Sequence, residues 1–369
     1  MHRDAAVLVI AGLGIWVDGD PKVGKVETHV LPIAETADEV VYVCTGPVPE
    51  DGNGVEFHQL EPSRWKPLTL LRQFLAAMLL ARRREFDLVA SFSLVPYGLF
   101  ALAVGALSRT PTHLGIIGSD LDVHAESSYG PAVQWLFRRF DVVSVSGSDF
   151  RTRLTAMGVP HERTFSVLHP VSSDFADASV ADDPTYDVLW LTRMSSEKDP
   201  LLFVEALAAL RERGVSFTAA LVGGGPLEAE VRRAVADRGL DDVVNVPGWA
   251  NDPVEYYRDA RVYVLTSERE MLPLSLVEAM LVGVPSVVPA VGAIPDVVDD
   301  GENGLLVADR TPAAYADAIE RLLTDETERA EMARAATDVE SRLSFEAVGE
   351  TWAEVFEYVE TGRRPSERD

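Results

Sequence analysis

Glu270 and Glu278, with seven residues between them, offer the clearest chemistry in this chain. They sit in SEREMLPLSLVEAMLVGVPSVV, residues 267–288. The apolar run Val262–Thr266 reads as a buried strand ending at Ser267. A short loop follows, then a helix expected to start near Pro273, because proline's missing N–H is not needed at a first helical position. The N-terminus of such a helix carries free N–H groups and the positive end of the dipole, which suits a phosphate. Glu270 falls in the loop and Glu278 about a turn and a half into the helix. Two carboxylates so placed can flank one ligand. Taken alone, the pair reads equally well as two solvated glutamates of an acidic surface.

Cations follow another strand. In Leu191-Thr192-Arg193-Met194-Ser195-Ser196-Glu197-Lys198, Arg193 and Lys198 come directly after an apolar run, where a ligand crevice opens in a doubly wound sheet. Arginine as a fork and lysine as a point charge suit a diphosphate. The chain has only four lysines, Lys22, Lys25, Lys66 and Lys198, so Lys198 stands alone in the second half. Gly223 and Gly224, in Val222-Gly223-Gly224-Gly225-Pro226, permit either close backbone approach to a ligand or a packing turn.

These side chains need elements to hold them. Both halves alternate strand-length apolar runs with helical patterns, which implies parallel sheets with crossover helices. The first half offers strands over 5–10, 39–45, 86–91, 112–117 and 142–145, with helices over 68–84 and 94–107. The second offers strands over 187–191, 217–222, 243–246, 261–265, 286–288 and 304–307, with helices over 200–213, 227–238 and 312–323. Between them, SSDFADASVADDPT (172–185) reads as a linker. Phe345–Val359 reads as an amphipathic helix with Trp352, Phe356 and Val359 on one face.

The net charge of −26 argues against nucleic acid as a partner. With so few lysines, it resembles the solvated carboxylate surface of proteins from salt-in halophiles. The acidity is uneven. Residues 1–170 hold 15 basic and 19 acidic side chains, residues 171–369 hold 18 and 40. Within 64–84, Arg64, Lys66, Arg72, Arg82, Arg83 and Arg84 occur with no acid. Either the arginines complement a helix C-terminus, or the stretch rests on an anionic membrane or lipid phosphate. A single cysteine, Cys44, excludes an intrachain disulfide and reads as a buried hydrophobe. With no signal-peptide pattern and no long apolar run, a cytoplasmic protein is expected, with the inner membrane face as an option.

In order and spacing, these motifs resemble the retaining glycosyltransferases of family 4. The residues concerned are Arg193 with Lys198, Gly223–Pro226, Gly248-Trp249, Glu270 to Glu278-Ala279-Met280, Gly283-Val284-Pro285, Gly292–Asp296 and Asn303-Gly304-Leu305-Leu306. The likeness is close over 187–360 and looser before it. It implies an α/β, GT-B fold: two Rossmann-like doubly wound parallel-sheet domains facing a central cleft. An acceptor domain would span 1–172 and a donor domain 186–340, with 341–369 a helix packing back toward the first. The implied activity is metal-independent, cofactor-free, hexosyltransferase-like transfer from a nucleotide-sugar donor. The acceptor would be a glycan or polyprenyl lipid, in cell-surface glycan or glycolipid biosynthesis.

The resemblance also implies roles. Arg193 and Lys198 would hold the diphosphate, Glu278 the ribose, and the backbone around Trp249 the base. Glu270 and the Leu272-Pro273-Leu274 backbone would hold the sugar and distal phosphate. Met271 stands where the family has glycine, which alters the pocket near the sugar. In the first half, Ile117-Gly118-Ser119-Asp120 replaces the family's H-G-x-D, so Asp120, with His124 beyond it, is the acceptor-side candidate. Gly12, Gly14, Gly19 and Gly24 follow the first strand, where the family's loop reaches a substrate. Asp120-Leu121-Asp122 also spells a metal-binding D-x-D of a different fold, read here as coincidence. A nucleotide-sugar epimerase and a catalytically silent nucleotide-sugar-binding subunit remain alternatives.

Overall fold

The computed structural model describes residues 3–12, 15–17, 20–22, 29–45, 48, 54–116, 120–170, 175 and 177–364. The chain divides into two compact units, Met1–Pro170 with Leu343–Asp369, and Val171–Arg342.

The first unit is built on seven strands: β1 (Arg3–Ile10), β2 (Ala37–Cys44), β3 (Val55–Gln59), β4 (Leu88–Phe92), β5 (Thr112–Gly115), β6 (Val142–Val145) and β7 (Thr164–Ser166). They lie in the order β3-β2-β1-β4-β5-β6-β7, all parallel. A parallel sheet is covered on both faces, which is why Val7–Ile10 and Val40–Val43 are unbroken apolar runs with almost no exposure. Cys44 ends one such run and is buried. The helix α1 (Lys66–Arg83) crosses from β3 to β4. It starts two residues earlier than the apolar pattern suggests, because Pro67 is tolerated in a first turn. A short antiparallel hairpin, Ile15–Val17 with Asp20–Lys22, lies outside the sheet.

The second unit repeats the plan with six strands: β8 (Tyr186–Leu191), β9 (Ala219–Val222), β10 (Val244–Gly248), β11 (Ala260–Val264), β12 (Ser286–Pro289) and β13 (Gly304–Val307). Their order is β10-β9-β8-β11-β12-β13, again parallel throughout. Strand order therefore reverses between β8 and β11, as it does between β1 and β4, and ligands of doubly wound sheets bind outside the strand carboxyl ends at that reversal. Two helices leave this edge: α2 (Pro200–Glu212) after β8 and α3 (Leu274–Val282) after β11. Part of the segment read as a linker is fastened to this unit. Ala181 N–H donates to Arg258 O at 2.8 Å, and Thr185 N–H to Asp259 Oδ1 at 2.7 Å.

The terminal helix α4 (Phe345–Thr361) belongs to the first unit. Ser344 caps it, accepting from Ala347 N–H at 3.1 Å. Val348, Trp352, Val355 and Phe356 enter the core formed by β1, β2 and β4, with Val359 packed at its margin. Thr36 Oγ1 donates to Gly349 O at 2.9 Å, a close approach that the missing side chain of Gly349 allows.

Candidate functional site

Thr192 to Asp199 carries the chain from β8 into α2. Met194 is the anchor: it is fully buried, its N–H donates to Gly224 O at 2.9 Å, and its carbonyl accepts from Leu227 N–H at 3.0 Å. The glycine turn after β9 must be bare for this. A Cβ on Gly223 would stand 1.9 Å from Thr192 O, and one on Gly225 2.4 Å from Met194 O. Gly223 thus serves as a packing turn beneath the Arg193 loop. Gly224 differs. A Cβ there would meet only Glu228 Oε2 at 3.6 Å and Trp249 Cβ at 3.9 Å, so Gly224 and Trp249 are neighbours as the motif order requires. Trp249 itself is 59% exposed.

Lys198 closes a short turn, Ser196–Lys198, and is followed by Asp199 in the left-handed region at φ 48°. Aspartate tolerates that conformation better than most residues. Its side chain is used twice: Oδ1 caps α2 from Leu202 N–H at 3.2 Å, and Oδ2 accepts from Arg310 Nη2 at 2.7 Å. Arg310 also donates to Thr266 O at 2.9 Å. The Thr266 hydroxyl lies 2.8 Å from Asp199 O and accepts from Trp190 Nε1 at 3.0 Å. This buried lattice fixes the backbone on which Lys198 stands, and sequence reading missed it, since an isolated Arg310 in a loop gives no pattern.

Glu270 occupies the loop after β11. It is 8% exposed, and both its oxygens accept from Lys198 Nζ, at 2.6 and 2.7 Å. Ser267 Oγ donates to the same carboxylate at 2.6 Å. Two motifs 72 residues apart are therefore brought into one ion pair across the reversal of strand order. The Glu270 backbone is itself clamped by Gly292, where a Cβ would fall 1.8 Å from Glu270 O, and Ala293 N–H donates to Met271 O at 2.8 Å. Arg193 lies apart from the pair, its side chain 64% exposed and 3.9 Å from Glu197.

The helix after this loop starts one residue later than expected. Pro273 has extended ψ (117°) and is the N-cap, and Leu274 is the first helical residue. No side chain caps this end, and Leu276 N–H turns back to Pro273 O at 3.1 Å, so the N–H groups of Leu274 and Ser275 are the ones that keep their demand for an acceptor. Leu272 and Pro273 are buried, Met271 is half-buried and Leu274 is exposed. Glu278 does not share a partner with Glu270. It accepts from Tyr257 Oη at 2.8 Å. Burial pushes its carboxyl above the usual range, and the Tyr257 bond pulls the other way. Tyr263 Oη donates to Ser275 Oγ at 2.8 Å in the first turn of α3. Burial raises the Tyr263 hydroxyl, with Glu270 and Glu278 both adding to the rise. The two carboxylates do address one locality, through Tyr263, while each is held by its own donor.

On the acceptor side, Asp120 is buried and its Oδ2 accepts from Leu94 N–H at 3.1 Å, pinning the turn after β4. His124 Nδ1 lies 2.7 Å from Tyr129 Oη. Gly14, Gly19, Gly24, Ile117, Gly118 and Ser119 lie outside the described residues, as does the Asp122 side chain. Among the described residues, no three His, Cys, Asp or Glu side chains converge as a metal-ligand group.

Residues 173–339 match the family of glycosyl transferases group 1, and residues 29–167 match a glycosyl transferase 4-like domain. The group 1 match spans nearly all of the second unit and contains every residue of the Lys198–Glu270 site. The chain is similar to WcaL of Salmonella typhimurium, a putative colanic acid biosynthesis glycosyltransferase. The two are 29% identical over 234 residues, 60% of this chain and 58% of WcaL. It is also similar to the D-inositol 3-phosphate glycosyltransferase of Pseudarthrobacter chlorophenolicus. Here identity is 35% over 161 residues, 42% of this chain and 38% of that protein. The matches therefore span less than two thirds of these relatives' lengths. Among solved structures, Anabaena Alr3699/HepE in complex with UDP superposes with a TM-score of 0.76 at 21% identity, covering 95% of this chain and 99% of that one. With the two parallel sheets, this establishes a GT-B fold.

Proposed function

We propose that the chain is a retaining glycosyltransferase that binds a nucleotide-diphosphate sugar at the β8/β11 edge. It would pass the sugar to a glycan or lipid-linked acceptor in cell-surface glycan assembly, in the cytoplasm or at the inner membrane face. The observation that carries this reading is the Lys198–Glu270 pair beside an uncapped helix end. Half-buried Lys198 and buried Glu270 neutralise each other. An incoming diphosphate supplies the anion that Lys198 and the first-turn N–H groups of α3 can take over, with Arg193 reaching in from its exposed position. Glu270 is then free to accept from sugar hydroxyls, and Glu278 from the ribose. The bond from the anomeric carbon to the diphosphate oxygen breaks as the acceptor oxygen bonds that carbon, and the acceptor's hydroxyl proton passes to the departing diphosphate. The charge developing on the leaving oxygen is met by Lys198 and the helix N–H groups, so the chemistry draws on no metal or cofactor. Glu270 is hydrogen-bonded as a positioning group, and no nucleophilic role is assigned to it.

UDP is the first donor nucleotide to try, because the Anabaena protein of this fold was solved with it. The test is NMR of a nucleotide sugar incubated with the protein, with and without a mixture of glycan and polyprenyl-phosphate acceptors. Nucleoside diphosphate released only with acceptor, and an α-linked product from an α-linked donor, are expected. Isomerised donor in the absence of acceptor would instead make the protein an epimerase. Binding without turnover under any acceptor would make it a silent subunit.

A further inference from the structure

Helix α1 is apolar on the wrong side. The residues it buries are Gln73, Ala76 and Ala77, whereas Leu71, Leu75 and Leu79 are about half exposed. Spaced four apart, these leucines fall along one outward stripe. Trp65, immediately before the helix, is 66% exposed. A helix apolar on both faces is normally buried on both, yet the chain leaves the outer one open. Ten of the twelve large apolar side chains exposed among the described residues lie between Trp65 and Trp135.

The charge on this face is equally unusual. By helical phase, Arg72, Arg82 and Arg83 share the outward arc with the leucines, and Arg64 and Lys66 are exposed at the helix's N-terminal end. Among the described residues, none of these five forms an ion pair or hydrogen bond through its side chain. Arg84 differs, pairing with Glu39 and Glu56. The option of arginines serving only their own helix end therefore leaves the leucine stripe unexplained. In a chain of net charge −26, five unpaired cations beside three exposed leucines and a tryptophan make an isolated basic and apolar surface.

We propose that the outer face of α1 docks on an anionic lipid bilayer, the helix lying in the interface plane. The leucines would enter the acyl boundary, Trp65 would sit at headgroup level, and the arginines would meet lipid phosphates. A second copy of the chain fits this face less well, because a two-fold contact would set the same five cations against each other. The proposal stands apart from the transferase reading, since lipid binding is read with no donor present.

The experiment is co-sedimentation of the full chain with vesicles of phosphatidylcholine alone and of phosphatidylcholine with phosphatidylglycerol. Binding at least tenfold tighter to the anionic vesicles is expected, weakening as salt rises without vanishing. The triple variant Leu71→Gln, Leu75→Gln, Leu79→Gln should lose most of that binding at an unchanged melting temperature. Should the triple variant fold poorly, lipids brominated near the headgroup supply a second readout: they should quench a fluorescence component missing from Trp65→Phe. No pelleting with anionic vesicles at low salt would overturn the proposal, as would pelleting indifferent to the triple variant together with no Trp65 quenching. Light scattering that shows a dimer dispersed by the triple variant would assign the face to a second copy instead.

Discussion

The two units share one strand order and put opposite chemistry on it. At the edge where β8 and β11 diverge, the second unit gathers charge: Lys198 on Glu270, and Asp199 on Arg310. In the first unit, buried His113 and half-buried His169 are held as neutral rings. His113 Nε2 lies 2.8 Å from Ser144 Oγ, and His169 Nε2 lies 3.1 Å from Ser146 Oγ. His29 stacks on His169 at 4.4 Å, and Trp352 of the terminal helix packs edge-on to His113 at 5.0 Å. The surfaces differ in the same sense. The second unit carries most of the acidity, and among its described residues the exposed large apolar side chains are Trp249 and Leu274. A parallel sheet supplies a crevice, and the residues at its strand ends decide what the crevice can hold.

Four changes would break or sharpen that contrast. The largest effect is expected at the ionic edge. Lys198→Ala should cut transfer about 10²–10³-fold, the scale of losing one preorganised contact to a developing anion. It also strands the Glu270 carboxylate, at a cost of about 3–5 kcal/mol in stability. Combining it with Glu270→Gln should recover much of the melting temperature and none of the activity, as thermal melts and initial rates will show. Next comes Arg310→Ala. Loss of the clamp on Asp199 should lower kcat/KM by up to about 10²-fold through misplacement of Lys198. A raised donor KM and partial rescue by Arg310→Lys would separate this positioning role from general destabilisation.

The neutral edge should answer to pH. Burial holds His113 at a pKa of about 3 and His169 at about 4, below the ordinary 6.5. As pH falls below 6.5, the unfolded chain takes up protons that the folded chain refuses. Stability is therefore complete above about pH 6.5 and is lost as pH falls, at roughly 1.4 kcal/mol per pH unit for each ring, down to about pH 4 for His169 and about pH 3 for His113. Urea titrations between pH 7 and 4.5 should show His113→Gln flattening this slope by about one proton. An unchanged slope would mean that the ring titrates normally. The smallest effect is assigned to Trp249→Ala. If backbone rather than the ring meets the base, donor affinity should change by less than about threefold, or roughly 0.65 kcal/mol. A tenfold loss would place the ring in the site.

Much of this was legible in the sequence. Long valine-rich runs marked the central strands because those are buried on both faces. The edge strands β3 and β7 escaped notice because Val55–Gln59 is mostly half-exposed and Thr164–Ser166 is very short. Lys198 and Glu270 were singled out separately, by rarity and by motif, but nothing along the chain announces that they pair. Tyr257, Tyr263 and Ser267 were passed over, although a buried phenol usually finds a hydrogen-bond partner and the two tyrosines could have been asked for one. Gly223 illustrates the converse. Its motif left a cradle and a packing turn equally open, and the contact with Thr192 O makes it a packing turn.

The central claim is that the Lys198–Glu270 edge binds a nucleotide-diphosphate sugar. Calorimetric titration of the intact protein with UDP-, GDP- and ADP-sugars tests it most directly. The account predicts saturable binding of at least one nucleotide class, weakened tenfold or more by Lys198→Ala and little changed by His113→Gln. Binding to none of them, or binding that ignores Lys198, would contradict it.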